Sequence, residues 1–122
     1  MEYMMYLAAG ILVCVAFVHS YFGERYMLMR LFKRDNLPTL FGSDDFTIKT
    51  LRFAWHVTSI AWLGFAGIIV SLAQPELNKS VLLNIIAVTF GIHFLIALLG
   101  SKGKHLSWVV FLLISFLVYN SV

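Results

Sequence analysis

The chain has 122 residues, of which 61% are hydrophobic and 12% charged, with a mean hydropathy of +0.88. A soluble domain is about 45–50% apolar and about 25% charged, so there is too little polar surface here to coat a soluble globule. Disorder, a disulfide scaffold and nucleic-acid binding as the main activity are excluded, and the net charge of +3 reads as basic cytoplasmic loops.

Four apolar segments approach the roughly 20 residues needed to cross about 30 Å of hydrocarbon. They cover 3–22, 51–73, 81–100 and 106–122. The expected fold is therefore an all-α, antiparallel four-transmembrane-helix bundle, one domain over 1–122, with a cytoplasmic connection at 23–50. The first segment follows Glu2 rather than a basic stretch, and no small-residue cleavage site comes after it. It is expected to stay as a helix and not to be removed as a signal peptide. It holds the only cysteine, Cys14, so an internal disulfide and a Cys-x-x-Cys redox motif are both impossible.

After Phe22 the chain mixes Tyr26, Met27, Leu28, Met29, Leu31 and Phe32 with Arg25, Arg30, Lys33 and Arg34. This suits an amphipathic segment at the membrane interface, or a continuation of the first helix. Pro38 and Gly42 punctuate a loop. Ser43-Asp44-Asp45 then reads as the start of the second helix, with its carboxylates on the positive helix end. Trp55, Trp62 and Trp108 read as packing or interface residues. Gly64, Gly67 and Gly91 suit close helix approach.

With four spans, the first and third connections share one side. They hold eight of the nine basic residues, and only Lys79 lies opposite. The positive-inside rule places both connections in the cytoplasm and both termini outward. The chain is thus expected in the bacterial inner (cytoplasmic) membrane, with the lipid bilayer as its first partner and other membrane subunits or a second copy as further ones. No nucleic-acid partner is expected.

Threaded this way, all four histidines fall in the cytoplasmic half, one per helix. At 1.5 Å per residue, His19 lies roughly 5 Å from its helix end, His56 roughly 7 Å and His93 roughly 10 Å, with His105 at the start of the fourth helix. Ionisable groups inside a span are costly and usually meet a partner. His56 and His93 are expected to face inward and approach each other, oriented by Ser59 and Thr89 one turn away. His19, His56 and His93, with Glu24 and His105 as lesser ligands, are the candidate metal set. Such donors suit Zn, Fe or Cu. Haem b is the second cofactor option, with an axial histidine pair and cations for its propionates. Arg25 and Arg52 are candidate contacts for an anion, a quinone carbonyl or a propionate. His19 and Glu24, five apart, border one cavity only if the helix unwinds at Gly23.

The preferred function is a multi-pass membrane protein with a histidine-lined metal site near the cytoplasmic side, in a redox or metal-dependent role. The alternative is a small structural or accessory subunit, and a third reading is a small transporter. In size and span number the chain resembles the small multidrug-resistance transporters. Their membrane-embedded glutamate in the first helix has no counterpart between Tyr3 and Phe22. No catalytic residue is assigned, and whether the protein is an enzyme is left open.

Overall fold

The computed structural model describes residues 2–122, and these are helical with no strand among them. Helix α1 (Glu2–Phe22) runs without a break into a π-helical turn (Gly23–Leu28) and a last α-turn (Met29–Leu31). Together they form a 30-residue helix, so the first helix continues past 22 as one of the two expected forms. Helix α2 spans Asp45–Leu72, α3 spans Lys79–Gly100 and α4 spans Ser107–Tyr119.

The first three are long and apolar enough to cross a membrane. Helix α4 is apolar but has 13 residues, about 20 Å at the α-helical rise, and is shorter than the expected 106–122. Residues at both ends are spent on turns. Ser101 Oγ donates to the Ala97 carbonyl at 2.6 Å and accepts from the His105 N–H at 3.2 Å. At the far end Asn120 and Ser121 donate to the carbonyls of Phe116 and Leu117.

Local signals set the other boundaries. Ser43 Oγ accepts from the Asp45 N–H at 3.4 Å, and α2 begins there. The Asn78 side chain accepts from the Val81 N–H at 3.2 Å, satisfying one unpaired donor of α3. Lys102 (φ 51°) ends α3 in the left-handed region, which lets the Gly103 N–H reach back to the Leu98 carbonyl at 2.8 Å.

Each helix packs only on its neighbours in sequence: α1 on α2, α2 on α3 and α3 on α4. Among the described residues, α1 and α4 do not meet. The helices form an open row, which corrects the expectation of a compact bundle with all four histidines at one level. A bilayer offers an apolar face as good a partner in lipid as in another helix, so no hydrophobic force closes the row.

The seams are lined by small side chains. Ala9, Ala16, Ala66, Ala87 and Ala97 are buried, whereas Phe17, Leu99 and Phe116 are more than 60% exposed. Small residues let helix backbones approach, and large apolar ones face outward. A Cβ at Gly64 would come within 2.5 Å of Thr89, and one at Gly100 within 2.7 Å of Phe53. Gly67 and Gly91 also sit in seams, opposite Ile85 and Ser115.

Candidate functional site

The α1–α2 seam holds a linked set of part-buried polar side chains. His19 Nδ1 hydrogen-bonds Ser59 Oγ at 2.9 Å, and Ser59 Oγ is joined to Ser20 Oγ at 2.8 Å. Ser20 Oγ in turn meets His56 Nδ1 at 3.0 Å, and His56 Nε2 meets Glu24 Oε2 at 3.2 Å. The other carboxylate oxygen, Oε1, takes the Arg52 guanidinium at 3.1 Å. Six side chains from two helices thus make one unbroken chain. His19, Ser20 and Glu24 come from α1 and its π-turn; Arg52, His56 and Ser59 come from α2.

Helical geometry explains the alignment. Arg52, His56 and Ser59 are four and three residues apart, one face of α2. On α1, Ser20 and Glu24 are likewise four apart, but His19 and Glu24 are five apart and diverge on an ideal α-helix. The two need not share a face, because His19 bonds Ser59 and Glu24 bonds His56. Beyond them the Met29 N–H reaches the Glu24 carbonyl, an i→i+5 bond, and the helix is widened from Gly23 onward. The helix does not unwind at Gly23; it widens there.

Gly23 has a second role. A Cβ there would overlap the Trp55 indole, which lies against the bare backbone. From that position Trp55 Nε1 donates to the His19 carbonyl at 2.9 Å. The Trp55 ring stacks on the His19 imidazole at 4.3 Å with an interplanar angle of 3°, and Trp62 closes on the same imidazole at 4.8 Å. The chain therefore ends in an aromatic clamp at its deeper end and in Arg52 at its outer end. Arg52 also lies 4.9 Å from the Phe32 ring, so the end of the first helix is held to α2.

The remaining sequence candidates lie elsewhere. His93 is buried at 5% exposure, packed edge-on to Phe90 and tilted to Phe111. The backbone of Val57 is near the ring, but neither imidazole nitrogen has a hydrogen bond of acceptable geometry among the described residues. His56 is turned toward α1 and bonded there, so the expected inward approach of His56 and His93 gives way to two separate environments. Thr89 donates to its own helix at the Ile85 carbonyl and does not orient His93. Ser59 serves His19 and Ser20 rather than His56. His105 bonds Ser107 at 2.8 Å and packs against Phe46 and Phe53. Arg25 lies over the Tyr26 ring, outside the chain.

The expected ligand set is accordingly divided among three places. No group of three or more His, Cys, Asp or Glu side chains converges as a metal site among the described residues. Both His56 nitrogens hold hydrogen bonds, Nδ1 to Ser20 and Nε2 to Glu24. Two contributions escaped the sequence reading: the Trp55 indole as a clamp on His19, and Ser20 as the link between the helices. An apolar run that places Ser beside His within one turn of Glu was the available signal.

Comparison of the chain with protein-family models, curated proteins and solved structures finds no match.

Proposed function

We propose that the chain is a multi-pass protein of a cytoplasmic membrane whose α1–α2 seam passes a proton between His19 and His56. Its consecutive helices are antiparallel spans, and the two basic connections lie on the cytoplasmic side by the positive-inside rule. The observation that carries this reading is the unbroken chain His19–Ser59–Ser20–His56–Glu24.

Each internal member of the chain can both give and take a proton. With the excess proton on His19, His19 Nδ1–H donates to Ser59, Ser59 to Ser20 and Ser20 to His56 Nδ1. With the proton on His56, every one of these bonds reverses, and His56 donates from both nitrogens, to Ser20 and to the Glu24 carboxylate. Moving from the first pattern to the second passes one proton through two hydroxyls. No heavy atom has to travel. Arg52 offsets the charge of Glu24 at the outer end.

The wire is short. His19 and Glu24 are five residues apart, about 7 Å of rise, against a hydrocarbon core of about 30 Å. It reaches into the membrane and stops at Trp55 and Trp62, so it suits proton delivery to an embedded site and not a through-channel. Metal-dependent redox work at these histidines is the competing chemistry. His56 Nε2 and Glu24 Oε2, 3.2 Å apart, offer one edge of a coordination shell, and a metal there needs further donors. A second reading, an accessory subunit, is favoured by the open row, which leaves the outer faces of α1 and α4 without a helix against them.

Nitrogen-15 NMR of labelled histidines in lipid nanodiscs tests the relay. In the relay the Nδ1 atoms of His19 and His56 are expected to be exclusive, one protonated while the other accepts, and Ser20→Ala is expected to remove that exclusion. Identical Nδ1 signals in wild type and Ser20→Ala would remove the relay and leave the accessory reading. Stoichiometric Zn, Fe, Cu or haem in the purified protein would return the metal one.

A further inference from the structure

Beside the polar seam, a groove of about 480 Å³ opens between α2 and α3 at the basic end, and Arg52 and His56 of the seam also line it. That volume lies in the range of roughly 300–1,000 Å³ of small-ligand sites. One wall is the α2 stripe Lys49, Arg52 and His56; the other is the α3 stripe Leu95, Ile96 and Leu99. The helices approach closely where Phe53 meets Gly100.

The two walls call for different chemistry. Lys49 and Arg52 are cations, and no carboxylate lines the groove. Each cation is anchored from outside it: Lys49 by Asp45 Oδ2 at 2.6 Å, and Arg52 by Glu24 Oε1 at 3.1 Å. An ammonium has three donors and a guanidinium five, so both keep N–H groups for a ligand. The Arg52 side chain is 46% exposed. The facing wall is apolar and open, with Leu99 72% exposed.

We infer that this groove holds an anionic glycerophospholipid, its phosphate on Lys49 and Arg52 and one acyl chain along Leu95, Ile96 and Leu99. A soluble anion would leave the leucine wall unused, and a neutral lipid would leave the cations unanswered. Two cations one helical turn apart match a phosphate group with several acceptor oxygens. Basic pockets between spans on the cytoplasmic side are where anionic headgroups are held. The inference needs the membrane reading and not the proton relay.

The test uses the full chain purified in mild detergent with equimolar phosphatidylglycerol and phosphatidylcholine, with retained lipid read by native mass spectrometry. Wild type is expected to keep phosphatidylglycerol several-fold over phosphatidylcholine. Lys49→Gln and, separately, Leu99→Glu are each expected to lower that retention several-fold. Lys49→Gln leaves the exclusive Nδ1 protonation of His19 and His56 in place, because Lys49 makes no hydrogen bond in the chain. Equal retention of the two lipids, unchanged retention in both variants, or displacement of phosphatidylglycerol by equimolar oleate would overturn the assignment. Non-exclusive Nδ1 protonation of the two histidines with preserved lipid selectivity would remove the relay and leave this site standing.

Discussion

The α1–α2 and α3–α4 seams each bury a histidine face, and they treat it in opposite ways. In the first, His19 and His56 are bonded through Ser59, Ser20 and Glu24. In the second, His93 meets Phe90 and Phe111, and Ser115 Oγ donates to the Ala87 carbonyl at 2.7 Å as a polar link between α4 and α3. The same side chain is thus a hydrogen-bonded link in one place and an aromatic packing piece in the other. Depth in the membrane does not decide between them; the partners on the facing helix do.

Glycine substitutions break the comparison most sharply. Gly23→Ala places a methyl group in the Trp55 indole and is expected to cost up to about 3 kcal/mol, as overpacking does in a tight site. The Trp55–His19 bond is lost with it. Gly91→Ala, in the α3–α4 seam, meets only Ser115 Oγ at 3.3 Å and is expected to be near neutral. Detergent-titrated unfolding of the two variants, followed by circular dichroism and tryptophan fluorescence, compares them. An equal loss for both would mean that the seams are packed alike.

Replacing the histidines themselves comes next. His56→Leu removes one partner each from Ser20 and Glu24, which keep Ser59 and Arg52, and the loss of two part-buried hydrogen bonds is expected to cost about 1–2 kcal/mol. His93→Leu removes an imidazole whose nitrogens have no well-formed bond, and keeps an apolar shape. Its expected effect is neutral or mildly stabilising. The same unfolding assay separates them, and a larger loss at His93 than at His56 would reverse the contrast. Arg52→Gln has the smallest expected effect on stability, under about 1 kcal/mol, because its pair with Glu24 is part-exposed and screened. Salt titration of the wild type should reproduce most of that change.

What the sequence discloses is uneven along the chain. The long apolar runs mark α1, α2 and α3 because length and hydropathy suffice for a span. Ser43 and Asn78 mark helix starts by accepting from the first backbone N–H groups. Every member of the polar chain also stands out as a polar residue in apolar surroundings. Their pairing does not, because it depends on which helix faces which. In lipid, Leu95 against another helix and Leu95 against an acyl chain are chemically alike, so a closed bundle and an open row have the same apolar pattern. Ser59 illustrates the result. It shares a face with His56, yet it bonds across the seam to His19 and Ser20, a choice made by tertiary packing.

The widened turn at Gly23–Leu28 has a consequence for how length changes are tolerated. A π-turn is equivalent to an α-helix carrying one additional residue, which the wide turn takes up locally. Deleting a single position between Tyr26 and Leu28 would let ordinary i→i+4 bonding resume with the downstream turn near its present phase. Phe32 would stay beside the Arg52 guanidinium. The same deletion within α1, where the bonding is already i→i+4, would rotate the two parts of the helix by about 100° relative to each other. A missing residue is thus absorbed at the wide turn and not in the span before it.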